Sequence, residues 1–259
     1  MNKIILIFTL LFINCTAIVN HLSFFPYKDE NTYKRTSHFG ELFINTEDGK
    51  VLQAFLFKND SSKTILLYFH GNAGNLSHRI PELVKYAEMG INVLAVSYRG
   101  FGKSTGHPSE KGIYKDGIAA YKYIKDILKF KENDIFICGR SIGTTAAINT
   151  AMGKNIKGLL LISPLTNGKD YAKYHGLGFI SFIAGNSFNN ISKIDKTKCK
   201  VLIIHGTIDE VIPYSMGKQL FDKITGEKSF VTIAHGTHNE LEMQDSLKFW
   251  SSIQQFLIK

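Results

Sequence analysis

Short apolar runs that alternate with helix-like stretches are the feature that most restricts how this chain can fold. Five such runs cover residues 64–69, 91–97, 134–138, 156–162 and 201–204, and a last one, 228–233, precedes the final helical stretch. Runs of this length and composition are typical of parallel strands that are buried on both faces. Strands alternating with helices predict an α/β domain, with a mostly parallel sheet and helices on both of its faces.

Two more strands and a set of helices complete the predicted domain. Residues 39–44 and 51–57 are joined by a stretch that contains Asp48-Gly49, which is a hairpin signal, so the sheet should have eight strands. Helical spacing recurs at residues 77–89, 109–128, 213–224 and 239–257. The last of these opens with Asn239-x-x-Glu242, a helix-start pattern.

The bulk properties of the chain fit one large globular domain. Its 259 residues are 44% hydrophobic and 20% charged, which supplies a sizeable core and argues against disorder. We predict that the domain covers residues 36–259. The net charge is +9, yet no block of five basic residues occurs, so a nucleic-acid partner is not expected. The excess is either a solvated basic surface or an attraction to an anionic membrane face.

One pentapeptide carries the strongest chemical signal. Gly139-Arg140-Ser141-Ile142-Gly143 is a G-x-S-x-G motif between a strand-like run and a helix-like run at 142–152. This setting is what the nucleophile elbow of a serine hydrolase requires, because its sharp turn exposes the serine at the carboxyl edge of a sheet. Flanking glycines tolerate positive φ and let neighbouring backbone approach closely. The alternative is a glycine-rich turn with an incidental serine.

A serine nucleophile needs a carboxylate and a histidine to activate it. The carboxylate fixes the tautomer of the imidazole, and in hydrolases with such an elbow the acid follows the serine along the chain. Asp209 comes just past the strand at 201–204, at the same sheet edge as Ser141, and is the predicted acid. Glu210 is the alternative acid, while His205 is closer to the strand and is interpreted as a core histidine.

The general base is expected last in the chain. His238 follows the strand at 228–233, immediately before the final helix, where a loop can return the imidazole to the serine. His235 lies in the same loop and is the competing base.

Backbone N–H groups should stabilise the oxyanion that forms during attack on a carbonyl. One donor is predicted to be the N–H of Ile142, and the other the N–H of Asn72, in the loop at residues 70–75. That loop lacks the dinucleotide-binding glycine spacing, and the chain has no zinc-binding H-E-x-x-H or C-x-x-C pattern. We therefore expect neither a cofactor nor a metal ion.

The link between the strands at 156–162 and 201–204 is unusually long. Residues 164–198 are rich in aromatic side chains and contain several glycines. A link of this length is predicted to form a small cap over the carboxyl edge of the sheet, with an apolar wall for an acyl group. An ordinary crossover helix with ragged ends is the alternative.

The first twenty residues have the pattern of an export or anchoring signal. A short basic start precedes an apolar run at residues 4–13, and residues 12–15 are similar to a bacterial lipobox ending in Cys15. Residues 1–20 are thus predicted to be a signal peptide with lipidation at Cys15, or an uncleaved membrane anchor. Either outcome predicts an exported, membrane-associated protein that meets the membrane surface through its N-terminus.

Five motifs stand in series along the chain: Tyr68-Phe69-His70-Gly71-Asn72-Ala73-Gly74-Asn75, Tyr98-Arg99-Gly100-Phe101-Gly102-Lys103-Ser104, Pro108-Ser109-Glu110-Lys111-Gly112, Gly139-Arg140-Ser141-Ile142-Gly143 and His205-Gly206-Thr207-Ile208-Asp209-Glu210. Together they resemble the α/β-hydrolase superfamily, and most closely its membrane-anchored branch, which includes protein depalmitoylases and Bem46-type proteins. The resemblance implies the α/β-hydrolase fold with Ser141 as nucleophile, Asp209 as acid and His238 as base. Asn72 and Ile142 would then form the oxyanion hole.

These signals lead to one main functional hypothesis and two alternatives. The main hypothesis is a serine hydrolase that cleaves carboxylic esters or thioesters of an acylated small molecule, a lipid or an acyl-protein. A serine peptidase of the aminopeptidase type is the first alternative. The second is a non-catalytic binding protein on the same fold, since fold alone does not determine function.

Overall fold

A single eight-stranded sheet organises the protein. The computed structural model describes residues 19–178 and 181–258. In chain order the strands are β1 (Phe39–Asn45), β2 (Val51–Phe57), β3 (Ile65–Phe69), β4 (Asn92–Val96), β5 (Ile135–Arg140), β6 (Gly158–Ile162), β7 (Lys200–Gly206) and β8 (Lys228–Ile233). Across the sheet the order is β1-β2-β4-β3-β5-β6-β7-β8. Strand β2 pairs antiparallel with β1 and β4, and every other pair is parallel. The predicted eight-stranded, mostly parallel sheet is confirmed.

Helices connect the strands and cover both faces of the sheet. They are α1 (Ile80–Glu88), α2 (Glu110–Lys122), α3 (Gly143–Ala151), α4 (Gly168–Tyr174), α5 (Ser181–Ala184), α6 (Tyr214–Lys223), α7 (Leu241–Gln244) and α8 (Ser246–Ile258). A 3₁₀ turn (Leu76–Arg79) leads into α1, and a π turn (Tyr123–Ile127) extends α2. The alternation of strand and helix follows the sequence prediction.

Side chains of the central strands divide between two cores. Along β3, Ile65, Leu67 and Phe69 belong to one core, while Leu66 and Tyr68 belong to the other, as the two-residue period of a strand dictates. The first core includes buried side chains of α2, α3 and α6, and the second includes those of α1 and α8. The apolar runs of the sequence are continuous because both faces of these strands are buried.

The last predicted helix differs in detail from the structure. The single helix expected at 239–257 is two helices, α7 and α8, which are separated at Asp245. The Asp245 carboxylate accepts a hydrogen bond from the Lys248 N–H at 3.0 Å and caps the start of α8. Residue Glu240, not Asn239, precedes the first turn of α7. The apolar periodicity continues through both helices, so it gave no sign of the break at Asp245.

The residues before β1 also pack against the sheet. Residues 19–23 are helical, and Phe24 is buried within a core at 5% exposure. The packed unit therefore includes residues that precede the predicted domain start at residue 36. Most of the predicted signal peptide or anchor, including Cys15, lies outside the described residues. Within residues 19–178 and 181–258, no helix combines the length and apolarity needed to cross a membrane.

Candidate active site

The turn between β5 and α3 places Ser141 at the carboxyl edge of the sheet. Ser141 itself takes the left-handed conformation, with φ of +55°. A Cβ at Gly139 would overlap the backbone of Gly143, and a Cβ at Gly143 would overlap the backbone of Phe69. The two glycines are thus needed because neighbouring backbone approaches them closely. The sequence predicted positive φ at these glycines, but the residue with positive φ is Ser141. Hydrogen bonds from the Ser141 N–H to the Ile162 carbonyl oxygen (2.9 Å) and from Thr144 Oγ1 to the Ser141 carbonyl oxygen (2.6 Å) hold the turn.

Three predicted residues from separate loops meet at this edge. The Nε2 atom of His238 lies 3.0 Å from Ser141 Oγ, and its Nδ1 atom lies 3.0 and 2.9 Å from the two carboxylate oxygens of Asp209. Because a carboxylate only accepts hydrogen bonds, Nδ1 of a neutral His238 carries the proton and donates it to Asp209. Nε2 is then left as an acceptor that faces the serine hydroxyl.

The carboxylate of Asp209 is held by several donors at once. It accepts hydrogen bonds from the N–H groups of Val211 (3.0 Å) and Ile212 (2.7 Å), and its side chain is fully buried. Burial raises the pKa of Asp209, but the hydrogen bonds from His205 and His238 outweigh it, so this pKa lies well below its ordinary value. Asp209 therefore remains ionised beside His238.

The alternative residues occupy different places. His205 is buried, and its Nε2 lies 2.9 Å from the Ile212 carbonyl oxygen and 3.3 Å from Asp209 Oδ2, so it supports the acid from behind. Glu210 accepts a hydrogen bond from the backbone N–H of His238 at 3.2 Å. His235 is exposed and has a φ of +55°. The structure therefore places His238, and not His235, next to the serine.

The segments that carry the two predicted oxyanion donors lie next to Ser141. Ile142 caps α3, where the first N–H groups of a helix have no partner within the helix. The loop at 70–75 runs alongside, since a Cβ added at Gly71 would lie 3.5 Å from the Ser141 Cβ. Asn72 and Ile142 both line the cavity that contains Ser141.

His70 begins this loop and is a packing residue. Its ring centroid lies 4.5 Å from that of Tyr98 and 5.3 Å from that of Phe101, and its side chain has no exposed surface. Burial lowers the pKa of His70 from 6.5 to about 4. The Tyr98 hydroxyl donates to the His70 carbonyl oxygen at 2.9 Å.

Arg140 is a site residue that the sequence reasoning missed. Its guanidinium donates to the carbonyl oxygens of His238 and Asn239, each at 3.4 Å, and lies 3.8 Å from Glu82 Oε2. Arg140 therefore joins the serine turn to the histidine loop. The available signal was a charged residue at the end of an otherwise apolar strand.

A mainly apolar cavity of about 400 Å³ opens above Ser141. Three parts of the chain supply its large apolar side chains: Val19, Leu22 and Phe25 before β1, Leu165, Tyr171, Leu177 and Phe188 in the region predicted as the cap, and Val211 and Ile212 after β7. Among the described residues that line it, none is Asp, Glu, Lys or Arg. The sequence analysis did not predict that residues 19–25 contribute to the cavity.

Metal binding has no geometric support in the part of the chain that the structure describes. No group of three or more His, Cys, Asp or Glu side chains there could hold a metal ion. Cys138 and Cys199 are both buried free thiols.

The sheet order and the serine turn after β5 are those of an α/β hydrolase, and solved structures have the same fold. The Pyrococcus furiosus esterase Pf2001 aligns with a TM-score of 0.73 over 90% of this chain and 96% of that one, at 20% identity. The Penicillium α/β hydrolase GrgF aligns with a TM-score of 0.73 over 85% of this chain and 97% of that one, at 14% identity.

Sequence comparisons give the family. The family model described as "Serine aminopeptidase, S33" matches residues 60–193. Protein bem46 of Schizosaccharomyces pombe is 33% identical over 83% of this chain and 75% of its own length. Human α/β hydrolase domain-containing protein 17B is 30% identical over 82% of this chain and 72% of its own. The chain therefore belongs to the α/β-hydrolase family and is of the Bem46/ABHD type.

Other relatives are considerably longer. The lysophosphatidylserine lipase ABHD12 of Danio rerio is 33% identical over 65% of this chain and 49% of its own length. The chain likewise covers 54% of aho-3 of Caenorhabditis elegans. It thus spans about half the length of these two relatives.

Proposed function

We propose that this protein is a serine hydrolase that cleaves carboxylic ester or thioester bonds of acylated, lipid-like substrates. The observation that carries the proposal is the position of Ser141 Oγ, 3.0 Å from His238 Nε2 and within the apolar cavity. A serine hydroxyl is a weak nucleophile unless an adjacent base takes its proton. Here the base and the acyl-sized cavity meet at one oxygen atom.

The first chemical step is attack on the substrate carbonyl. Ser141 Oγ forms a bond to the carbonyl carbon while its proton passes to His238 Nε2. Asp209 keeps the ring in the required tautomer and stabilises the imidazolium that forms. The low pKa of Asp209 supports this role, because a protonated carboxyl could not stabilise the positive charge.

The oxyanion that results is stabilised by backbone donors. The N–H groups of Ile142 and Asn72 donate to it in the tetrahedral state. Donors of this kind are each worth about 3–4 kcal/mol of barrier lowering in other serine hydrolases. The short loop at 70–75 brings one donor, and the start of α3 brings the other.

Collapse of the tetrahedral state releases the leaving group. His238 gives its proton to the departing alkoxide or thiolate, and an acyl group remains on Ser141 Oγ. A water molecule then attacks the acyl carbon while His238 takes a proton from it. The same donors stabilise the second oxyanion. When it collapses, the bond between the acyl carbon and Ser141 Oγ breaks, Oγ takes the proton from His238, and a carboxylic acid leaves.

The lining of the cavity supports an acyl or lipid-like substrate. Its large side chains are apolar. Each methylene of an acyl chain that they remove from water contributes about 0.8 kcal/mol to the free energy of binding. ABHD12 of Danio rerio is named a lysophosphatidylserine lipase, and the resemblance to depalmitoylases adds thioesters to the candidate bonds. The acyl chain is therefore expected to bind in this cavity.

A serine peptidase is the second candidate, because the matching family model carries the name of an aminopeptidase. An aminopeptidase must hold the positively charged α-amine of its substrate, which is best done by a carboxylate. Among the described residues that line the cavity, no acidic side chain meets this need. Hydrolysis of aminoacyl amides in preference to acyl esters would favour the peptidase.

Labelling with a fluorophosphonate probe tests the proposal. Wild-type protein should be labelled, and Ser141→Ala and His238→Ala should not, because the probe reacts only with an activated serine. His235→Ala, in the same loop, is the matched control and should keep its label. Folded wild-type protein that neither reacts with the probe nor hydrolyses any acyl ester or thioester would contradict the proposal and favour a non-catalytic binding protein.

We also propose that residues 1–20 attach the protein to a membrane after export. The apolar run at 4–13, Cys15 and the net charge of +9 support this. Fractionation of cells that express the full chain should find it with the membranes, and Cys15→Ser should separate lipidation from an uncleaved anchor. A wild-type chain recovered only from the soluble fraction would contradict the proposal.

A further inference from the structure

The residues just before β1 form part of the site itself. Val19, Leu22, Ser23 and Phe25 line the cavity that contains Ser141 Oγ. We call residues 19–25 the N-terminal segment. It lies directly over the nucleophile's cavity, although it is more than a hundred residues from Ser141 in the sequence.

Asn72 joins this segment to the loop of the oxyanion hole. Its Oδ1 atom accepts a hydrogen bond from the Phe25 N–H at 3.0 Å, and its Nδ2 atom donates to the Ser23 carbonyl oxygen at 2.9 Å. Both ends of the side-chain amide are therefore used by the segment. The backbone N–H of the same residue is the proposed oxyanion donor, so one residue joins the segment to that donor.

Further contacts hold the segment in place. Phe24 is 5% exposed, and its ring lies edge-on to Phe188, with centroids 6.0 Å apart. Asn20 Oδ1 accepts a hydrogen bond from the Glu110 N–H at 3.1 Å, and Glu110 Oε1 accepts one from the Phe188 N–H at 2.7 Å. Phe188 also lines the cavity. The segment thus bridges the oxyanion loop, the start of α2 and the opposite wall.

The loop that receives these bonds needs such support. Ala73 and Gly74 have φ of +63° and +68°, so two consecutive residues after Asn72 are left-handed. A left-handed conformation is unfavourable for a residue with a Cβ, such as Ala73, and persists only where contacts impose it. The Tyr27 N–H donates to the Gly74 carbonyl oxygen at 3.3 Å, so the residues after the segment hold the loop as well.

Two large side chains of the segment are exposed at the cavity. Leu22 is 65% exposed and Phe25 is 56% exposed, yet both line the cavity. Leaving such surface in water is unfavourable, and an acyl chain lying against it would cover it.

We propose that the N-terminal segment is a functional part of the active site. Its hydrogen bonds to the Asn72 side chain position the backbone N–H of Asn72 as the oxyanion donor, and its residues Leu22 and Phe25 select the acyl chain. The proposal rests on the function proposed above. It predicts two separable effects. Loss of the Asn72 amide should lower kcat, since the oxyanion forms only in the transition state. Loss of Leu22 and Phe25 should weaken the preference for long acyl chains.

The test uses the full chain in detergent micelles, with p-nitrophenyl acetate, octanoate and palmitate as substrates. Asn72→Leu removes both side-chain hydrogen bonds but keeps the backbone N–H. It should lower kcat for the acetate ester by about tenfold or more, with little change in KM. Asn72→Asp keeps the acceptor for the Phe25 N–H and should recover part of kcat. This partial recovery separates positioning from a general loss of structure.

The double variant Leu22→Ala/Phe25→Ala tests the selection of the acyl chain. Its ratio of kcat/KM for palmitate to kcat/KM for acetate should fall by about tenfold. Met243→Ala/Leu247→Ala is the matched control, because these side chains are 79% and 82% exposed and do not line the cavity. The control should keep the wild-type ratio.

Two results would overturn the inference while the proposed function stands. One is wild-type kcat in Asn72→Leu, and the other is an unchanged chain-length ratio in the double variant, each measured on protein that reacts with the fluorophosphonate probe. Failure of the proposed function is a different result, because the wild-type protein would then be folded and unreactive. A thermal melt of each variant shows whether it is folded.

Discussion

Asp209 is the residue on which the geometry of the site depends most. It accepts hydrogen bonds from His238 and from the N–H groups of Val211 and Ile212, and His205 Nε2 lies 3.3 Å from its Oδ2. These donors fix the carboxylate in position and keep it ionised. The imidazole of His238 is consequently oriented by a group that cannot itself rotate freely.

Asp209→Asn should reduce kcat by about 10⁴-fold, because an amide can donate to Nδ1 and so favour the wrong tautomer of His238. The structure of the site should otherwise be retained. Glu210→Gln is the matched control, since the Glu210 carboxylate accepts a hydrogen bond from the backbone N–H of His238 and the Asp209 carboxylate accepts one from its ring. Esterase kinetics of the two variants check this prediction, and equal losses of kcat would contradict it.

The buried His70 should make stability depend on pH. Its pKa is lowered to about 4 in the folded protein and is near 6.5 when unfolded, so the unfolded state binds a proton more readily between these values. Above about pH 6.5 His70 is neutral in both states, and the free energy of unfolding is not reduced by its protonation. It falls as the pH drops towards 4, by up to about 3 kcal/mol.

Urea unfolding of wild type and His70→Asn across this pH range provides the measurement. The variant should lose less stability than the wild type as the pH falls. The exposed His38→Asn should follow the wild-type profile. Parallel profiles for His70→Asn and wild type would show that the histidine does not cause the dependence.

At the scale of elements, a buried ion network ties the β1–β2 hairpin to α2. Arg99 follows β4, and its side chain reaches Asp116 of α2 (Nε to Oδ1, 2.9 Å) and Asp48 of the hairpin turn (Nη1 to Oδ2, 2.9 Å). The Arg99 N–H also donates to Asp116. The Asp116 side chain is fully buried, and that of Arg99 is nearly so.

Asp116→Ala should lower the free energy of unfolding by about 3–5 kcal/mol, because it leaves the buried guanidinium of Arg99 without one of its partners. Asp222→Ala, at an exposed position of α6, should change it by less than about 0.5 kcal/mol. Equilibrium denaturant titrations measure both values. A loss below about 1 kcal/mol for Asp116→Ala would contradict this account.

The elements also show what a sequence can predict and why. From Ile65 to Phe69 every side chain is large and buried, so a buried strand is the natural conformation of this run, and the middle positions of the other central strands are apolar as well. The break at Asp245 depends on a local cap that competes with apolar periodicity, and the periodicity is the stronger signal. The packing of Phe24 and the reach of Arg140 depend on which loops meet in space, which no local pattern contains.

The whole molecule combines a rigid sheet edge with an apolar cavity formed from three distant stretches of chain. Ser141, Asp209 and His238 follow β5, β7 and β8, whose carboxyl ends lie at one edge of the sheet. The cavity of about 400 Å³ lies above them and should accept acyl chains of increasing length until it is full.

The kcat/KM for a series of straight-chain esters should therefore rise about fourfold per methylene, which corresponds to about 0.8 kcal/mol, and then level off. A series of p-nitrophenyl esters of increasing length gives the slope directly. Butyrylcholine, whose choline leaving group is cationic, is a useful comparison with the p-nitrophenyl esters. The described residues that line the cavity include no acidic side chain that could bind this cation. A flat dependence on chain length would show that the acyl group does not enter the cavity.

The backbone at Ser141 carries a consequence for how this sequence can evolve. A left-handed residue with a Cβ costs about 1–2 kcal/mol, and glycine would occupy the same position without that cost. Codons for serine and glycine can differ by one base, so mutation offers the exchange continually. A lineage in which the Ser141 hydroxyl is no longer under selection would gain stability if glycine replaced this serine. Relatives that have glycine at the position of Ser141 are thus expected to be those that have lost hydrolytic activity.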